Sequence, residues 1–264
     1  MSLETAVQAA KKAGGYIKER LGNIDRIDYK SAYNLVTDVD KASEKLILDI
    51  IKAAHPGDTA LAEESGGSGQ AGGRRWLIDP LDGTTNFAHS YPFFCVSIAL
   101  EIDGVVQVAA VFNPVSDELF TAEKGKGAFL NGKRMAVSTV SSVNESLLAT
   151  GFPPDTEKAV ENNIEAFKLL TGLSHGVRRD GSAALDLSYV ACGRLDGFWE
   201  LKLGAWDVAA GSLIVTESGG TVTDHCNGPL DIDKGHIVAT NGSIHQQIID
   251  TLAKVYAVAG KGRA

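Results

Sequence analysis

The sequence of 264 residues is poor in cysteine and contains no long hydrophobic run. Its three cysteines, Cys95, Cys192 and Cys226, are odd in number and form no CxxC pair, which argues against a disulfide framework and a cysteine zinc site. No apolar stretch approaches the ~20 residues that a membrane-spanning helix needs, and residues 1–15 carry charges in place of an apolar leader. We therefore expect a soluble, cytoplasmic protein with no membrane partner.

Positive charge is also in deficit. The chain has 25 Lys and Arg residues against 33 Asp and Glu, for a formal net charge of −8. Binding to a nucleic-acid backbone requires clustered Lys and Arg, so we expect no nucleic acid as the principal partner. Hydrophobic residues make up 44% of the chain, which is enough to build a sizeable core.

The hydrophobic pattern alternates between helical and strand-like periods. Apolar residues recur at helical spacing over 3–21 and 46–54. Strand-like runs at 76–78, 94–101, 104–113 and 118–122, separated by turn dipeptides, predict an antiparallel sheet. Further helices are predicted over 157–170, 183–192, 206–218 and 243–258. We expect a layered α/β protein (α+β layered) forming a single domain over 1–264, with an N-terminal lobe of about 1–140 and a C-terminal lobe of about 141–264.

The strongest chemical signal is the segment 79–85, DPLDGTT, directly after the apolar run 76–78. A turn needs one aspartate, but here Asp79 and Asp82 flank a proline, with the Leu81 carbonyl between them as a third hard oxygen. Two carboxylates about 4 Å apart repel by about 4 kcal/mol at an effective dielectric of about 20, so the pair favours a bound cation. All-oxygen ligands select Mg²⁺ or Mn²⁺ over zinc. Gly83 and Thr84 offer backbone N–H groups suited to a phosphate.

Other carboxylates stand in similarly marked contexts. Asp38 and Asp40 follow Leu-Val-Thr, Glu63-Glu64 precede a glycine-rich segment, and Asp207 opens a predicted helix. Each has a structural alternative, because the aspartates could cap the helices that follow them and the glutamates could be an exposed pair. Spacing alone leaves both interpretations open.

The glycine-rich segment 65–73, SGGSGQAGG, suggests a mobile loop at the edge of a site. It does not match the phosphate-binding pattern GxxxxGK[ST], because Gly73 is followed by Arg74-Arg75. ATP binding is therefore not expected.

Taken together, these segments resemble the inositol monophosphatase family, the Mg²⁺-dependent, lithium-sensitive sugar phosphatases, and most of all its bacterial type. Segment 79–87 is similar to the family's first signature and segment 206–211 to its second. Supporting matches are Leu-Val-Thr at 35–37 with Asp40, Glu-Glu-Ser at 63–65 and Gly-Ser-Ala-Ala at 181–184. The resemblance covers nearly the whole chain. It implies an αβαβα sandwich of alternating helix and sheet layers, and a homodimer.

The resemblance also implies a set of metal ligands for two to three Mg²⁺ ions, with Mn²⁺ as a possible substitute. A first ion would be held by Glu63, Asp79 and the Leu81 carbonyl. A second would be held by Asp79, Asp82 and Asp207, while Glu63 would help with a looser third.

The implied reaction is the hydrolysis of a phosphomonoester by direct attack of a metal-activated water, with no phosphoenzyme. Glu63, Thr84 and Asp40 are the implied catalytic residues, because Thr84 paired with Asp40 would orient the water and help to deprotonate it. The implied substrate contacts are Asp82, Gly83, Thr84, Gly181, Ser182, Ala183, Glu200 and Asp207.

A polyol phosphate is the expected substrate class, because the Glu200 carboxylate can accept hydrogen bonds from two neighbouring hydroxyls. Inositol 1-phosphate is the first choice, while fructose 1,6-bisphosphate and histidinol phosphate remain open on the same metal ligands. A hypothesis of another class is a regulatory subunit that binds another protein through the face bearing Arg178 and Arg179.

Overall fold

A computed structural model describes residues 2–31, 34–67, 73–153 and 162–261. Its helices are α1 (Ser2–Arg20), α2 (Asp38–Ala54), α3 (Thr84–Ala88), α4 (Ile164–Leu173), α5 (Ala183–Ala191), α6 (Ala205–Glu217) and α7 (His245–Lys261). No helix in these ranges is long and apolar enough to cross a membrane.

Two large sheets carry most of the strands. The first has seven strands in spatial order: β3 (Thr59–Ala62), β4 (Arg74–Asp82), β5 (Cys95–Ile102), β6 (Val105–Asn113), β7 (Glu118–Glu123), β8 (Gly127–Leu130) and β9 (Lys133–Arg134). All neighbours are antiparallel except β3 and β4, which are parallel. This confirms the antiparallel sheet predicted over 94–122.

The second sheet has five strands, and a separate hairpin precedes α2. Its spatial order is β11 (Gly176–Arg178), β10 (Leu147–Thr150), β12 (Gly197–Glu200), β14 (Ile237–Thr240) and β13 (Thr221–Thr223). Strand β10 is parallel to both of its neighbours, and the pairs with β14 are antiparallel. The hairpin pairs β1 (Ile27–Ser31) with β2 (Asn34–Thr37).

The elements stack in five layers, which confirms the predicted αβαβα sandwich. Helices α1 and α2 pack on one face of the seven-stranded sheet, and α5 and α6 pack between the two sheets. Helices α4 and α7 cover the outer face of the five-stranded sheet. The division into lobes near residue 140 stays a prediction.

The alternation of side chains along β4 explains how one strand serves two cores. Trp76 and Ile78 are buried against α1 and α2, whereas Leu77 faces the core around α5 and α6. Helix α6 is buried over most of its surface because a sheet lies on either side of it. Its apolar residues therefore do not form the single stripe that marks a surface helix.

Two boundaries differ from the sequence prediction. The described helix α4 begins at Ile164, with Asn163 before it, so the prediction of helix over 157–170 is wrong at residues 162–163, and residues 154–161 lie outside the described ranges. Strand β4 continues to Asp82 beyond its apolar run, because a β-bulge lets the polar residues stay in the sheet. Of the glycine-rich segment, residues 68–72 also lie outside the described ranges.

The contact between α5 and α6 depends on Gly211. A Cβ atom at this position would lie 2.5 Å from Leu187 Cβ, so Gly211 lets the two buried helices approach closely. Gly15 in α1 provides a matched comparison, because a Cβ atom there would meet nothing within 4 Å.

We predict opposite effects of glycine-to-alanine substitution at these two helical positions. Gly15→Ala should stabilise the protein by about 0.5–1 kcal/mol, because alanine loses less backbone entropy on folding. Gly211→Ala should destabilise it by about 1–3 kcal/mol through overpacking. Urea unfolding of both variants measures the difference, and equal stabilisation by the two would show that α5 and α6 do not pack this closely.

Candidate active site

A β-bulge near the end of β4 brings two aspartates to the same face of the sheet. Asp79 pairs with Ser97 and Asp82 with Cys95, so three steps along β4 match two steps along β5. Residues three apart on a regular strand point to opposite faces, but one extra residue restores the same face. The backbone is held there by Leu81 N–H, which donates to Asp79 Oδ1 (2.9 Å), and by Ser43 Oγ, which donates to the Pro80 carbonyl (2.8 Å).

Asp82 is anchored to the beginning of α5. Its Oδ2 atom accepts hydrogen bonds from Ser182 Oγ (2.6 Å) and from the Ala184 N–H (2.8 Å). These contacts join the seven-stranded sheet to residues one hundred positions further along the chain. They also place Gly181, Ser182 and Ala183 beside the bulge.

Asp207 reaches the same place from the beginning of α6. Its Oδ2 atom accepts a hydrogen bond from the Gly204 N–H (2.6 Å), so it is also a capping residue of its helix. Ser97, the strand partner of Asp79, donates from its hydroxyl to the Trp206 carbonyl (3.2 Å). This bond fixes the start of α6 over β4 and β5.

The carboxylates of Asp79, Asp82 and Asp207 converge, with one oxygen of each lying within 4.8 Å of the others. Burial raises the pKa of Asp82 to about 6 and that of Asp207 to about 8. Burial, followed by repulsion from Glu63 and the other two aspartates, also holds the pKa of Asp79 well above its usual range. Without a cation, the cluster is therefore unfavourable for three full negative charges.

The donor set fits a hard divalent cation. The cluster offers carboxylate oxygens, and the nearby thiol of Cys95, 3.8 Å from Asp82 Oδ2, has a pKa held well above its usual range by burial. The ligand atoms that converge are the carboxylate oxygens of Asp79, Asp82 and Asp207, and Cys95 is not a member of this group. Oxygen ligands of this kind suit Mg²⁺ or Mn²⁺.

Asp40 caps a helix with one carboxylate oxygen and contacts Thr84 with the other. Its Oδ2 atom accepts from the Thr37 N–H (2.8 Å) and the Thr37 hydroxyl (2.5 Å), which completes a capping box at the start of α2. Its Oδ1 atom accepts from Thr84 Oγ1 (2.8 Å), which also lies 3.1 Å from the Leu81 carbonyl. Burial raises the pKa of Asp40. Asp38 instead forms an ion pair with Arg20.

Glu63 and Glu64 are half-buried, which argues against a fully exposed pair. Glu63 lines the same cleft as the aspartate cluster, and its charge contributes to the raised pKa values there. It is not a member of the three-carboxylate group. The Glu64 and Ser65 N–H groups both donate to the buried carboxylate of Glu44 (2.8 and 3.0 Å), which orients the turn after Glu63.

The cleft above the cluster has a volume of about 340 Å³. Gly83, with a φ of 96°, and Thr84 form one wall, and Gly181 and Glu200 lie on another. Glu200 ends β12, and burial raises the pKa of its carboxyl group to about 8. The structure thus brings together every site residue proposed from the sequence around one cleft, with Asp40 behind Thr84 and with Ser182 and Ala183 beside Asp82.

Several contributors were not identified from the sequence. Ser43 and Glu44 are buried polar residues on one face of α2, and the helical pattern alone does not say which loops they will meet. Gly151 is placed against Glu200, because a Cβ atom on it would lie 2.2 Å from both carboxylate oxygens. Arg179, assigned above to a protein-binding face, lines the cleft.

Comparison with known proteins agrees with this geometry. The model of the inositol monophosphatase family matches residues 2–257. The chain belongs to the inositol monophosphatase family. It is 50% identical over 253 residues to the inositol-1-monophosphatase of Synechocystis sp., covering 95% of this chain and 88% of that relative.

Two further relatives of this inositol monophosphatase family member extend the comparison. Its structure matches that of the inositol monophosphatase from Anabaena (Nostoc) sp. PCC 7120 with a TM-score of 0.88 and 47% identity, covering 96% of this chain and 95% of that chain. It is also 46% identical over 242 residues to the Nus factor SuhB of Escherichia coli (strain K12), covering 90% of this chain and 91% of that protein. Family membership confirms the predicted family, the layered fold and the assignment as a phosphatase.

The raised pKa values predict how the stability of the metal-free protein depends on pH. A carboxyl group whose pKa is higher in the folded than in the unfolded state binds protons more tightly when folded, so stability is lost as pH rises through the folded value. In EDTA, the melting temperature should fall between about pH 5 and pH 8.5, the window set by the pKa values of Asp82 and Asp207.

Millimolar Mg²⁺ should remove most of this decline, because a ligand that binds only the folded state stabilises it. The Asp79→Asn variant should melt higher than the wild type in EDTA at pH 8, since it lacks one of the repelling charges, and should respond less to Mg²⁺. Thermal melts across pH test both points. A wild-type melting temperature indifferent to Mg²⁺ at pH 8 contradicts a cation site at this cluster.

Proposed function

We propose that the protein is a Mg²⁺-dependent phosphomonoesterase that hydrolyses inositol 1-phosphate to inositol and phosphate by direct attack of water. The observation that carries this proposal is the convergence of Asp79, Asp82 and Asp207 at the floor of a cleft that Glu200 also lines. An acidic cluster suits a cation and, through it, a phosphate, while a carboxylate suits a polyol hydroxyl. The name of the Synechocystis relative agrees with this substrate.

Asp79, Asp82 and Asp207 would hold Mg²⁺ or Mn²⁺ together with Glu63 and the Leu81 carbonyl, two to three ions in all. When bound, the metal supplies Lewis-acid chemistry, because it offsets phosphate charge and makes water more acidic. Inhibition by lithium belongs to the same proposal, as does the assignment of the individual ligands.

Thr84 and Asp40 form a proton path from water to a buried carboxylate. The Thr84 hydroxyl donates its proton to Asp40 Oδ1, so its own oxygen can accept a hydrogen bond from a water molecule in the cleft. A proton removed from that water would pass to Thr84 Oγ1 while the Thr84 proton moves to Asp40. Burial raises the pKa of Asp40, which increases the affinity of this carboxylate for the proton.

The remaining residues orient the substrate. Gly83 and Thr84 would donate backbone N–H groups to the phosphate at the start of α3, and Asp82 and Asp207 border the same space. Gly181, Ser182 and Ala183 would lie along the ring of the substrate. Glu200 would accept hydrogen bonds from its hydroxyls.

Phosphate release in the presence of Mg²⁺ tests the proposal directly. Among inositol 1-phosphate, fructose 1,6-bisphosphate and histidinol phosphate, the first should have the highest kcat/KM. Asp82→Asn should fold, because it keeps the side-chain volume, but it should lose most activity, because it removes a metal ligand. Circular dichroism is the control for folding. Release from none of the three substrates by the wild type, or normal turnover by Asp82→Asn, contradicts the proposal.

Substitutions at Thr84 test the proton path. Thr84→Val removes the hydroxyl at nearly constant volume and should lower kcat by about 10²-fold or more, with little change in the Mg²⁺ concentration required. Thr84→Ser keeps the hydroxyl and should retain most activity, so it serves as the matched control. Equal losses in the two variants indicate a packing role for Thr84.

A second role is suggested by the relative named Nus factor SuhB. Such a role, through a protein partner, would be separable from catalysis, so the inactive Asp82→Asn variant should retain it. Arg178 is exposed and suits such a surface, whereas Arg179 lines the cleft. The homodimer and the cytoplasmic location remain predictions from the sequence.

A further inference from the structure

A smaller cavity of about 100 Å³ opens beside the cleft, and we call it the inner pocket. It is lined by Asp82, Thr150, Gly151, Arg179, Gly181, Ser182, Ala183, Asp186, Glu200 and Leu203. Five of these residues also line the main cleft: Asp82, Arg179, Gly181, Glu200 and Leu203. The inner pocket is therefore continuous with the space proposed for the substrate.

Asp186 on α5 contributes a carboxyl group to the inner pocket. This residue is only 1% exposed, and its Oδ1 atom has no hydrogen-bond partner among the described residues. Its electrostatic neighbours are Asp180, Glu200, Asp82 and Arg179, most of which border the same space. A buried polar atom without a partner is unfavourable and requires an explanation.

The part of the inner pocket formed by Thr150 and Gly151 is held by hydrogen bonds. The amide of Asn163 donates to the Gly151 carbonyl (2.8 Å) and to Thr150 Oγ1 (2.5 Å), and Thr150 Oγ1 donates to the Trp199 carbonyl (2.5 Å). These bonds join the ends of β10 and β12 and keep Gly151 against the Glu200 carboxylate. The inner pocket is thus a preformed space with Glu200 at one wall and Asp186 at another.

We propose that the inner pocket receives one carbon of the substrate's polyol part together with the hydroxyl group on that carbon. Asp186 hydrogen-bonds to this hydroxyl. Asp186 is then a specificity-determining residue for polyol phosphates, an inference that rests on the proposed function. The volume of the inner pocket is that of a few water molecules, which suits a hydroxyl or hydroxymethyl group. A site built to hydrogen-bond a hydroxyl rejects analogues that lack it, because its polar groups are left unpaired.

The experiment compares inositol 1-phosphate with p-nitrophenyl phosphate, which has no alcohol hydroxyl. Asp186→Leu should lower kcat/KM for inositol 1-phosphate by at least about 10-fold relative to p-nitrophenyl phosphate. Asp186→Asn keeps a hydrogen-bonding group and should stay within a few-fold of the wild-type ratio. Ser188→Ala is the matched control, because Ser188 is a buried polar residue of α5 that does not line the inner pocket.

A second measurement uses the wild type with deoxy analogues of inositol 1-phosphate and does not depend on the folding of Asp186→Leu. One analogue, which lacks the hydroxyl for the inner pocket, should lose at least about 10-fold in kcat/KM. Asp186→Asn should change that one loss by a few-fold, because an amide replaces the carboxyl group that contacts the hydroxyl, and should leave the losses of the other analogues unchanged. The proposal is overturned if all analogues lose equally, or if the wild type and Asp186→Asn show the same losses across the analogues. Either result indicates that ordered water alone fills the inner pocket.

The outcomes separate this inference from the proposed function. If the wild type hydrolyses inositol 1-phosphate but the substitutions at Asp186 leave the preference among substrates and analogues unchanged, only the inference fails. If the wild type hydrolyses p-nitrophenyl phosphate and no polyol phosphate, the proposed function fails and the inference fails with it.

Discussion

Repulsion between buried carboxylates is the constraint on which the centre of this molecule depends. Strand β4 and helix α6 place Asp79, Asp82 and Asp207 within a few ångströms of one another, although each carboxyl group would be better solvated apart. The surrounding contacts hold them there: the bulge in β4, the hydrogen bonds from α5 to Asp82 and the backbone donor at the start of α6. The fold thus keeps together charges that only protons or a cation can neutralise.

Two of the carboxylates that cap helices also face the candidate site. Asp40 closes the capping box of α2 with one oxygen and contacts Thr84 with the other, and Asp207 caps α6 while it faces Asp79 and Asp82. A helix that begins beside the site therefore fixes the position of its carboxylate without a separate support. Substitution of either residue is therefore expected to affect helix stability as well as activity.

The cleft and the inner pocket have different physical characters. The aspartate cluster is a set of converging carboxylates that suits a cation, whereas Glu200 and Asp186 line the inner pocket together with Arg179. This separation is what a phosphomonoesterase requires, because recognition of the phosphate is common to all its substrates. Discrimination among them has to come from the walls around Glu200.

Segments 79–87 and 206–211 were sufficient to predict the family, which the family model confirms, and most of the metal-ligand residues to test. The kind of substrate was predicted from Glu200. Helices α1 and α7 also followed from apolar spacing, because burial on one face leaves a period in the sequence. Tertiary structure alone decided that Asp40 serves both a cap and Thr84, that Gly151 abuts Glu200, and that Asp186 borders a cavity. These facts depend on which elements meet across the layers, and long-range contacts of that kind leave no local period in the chain.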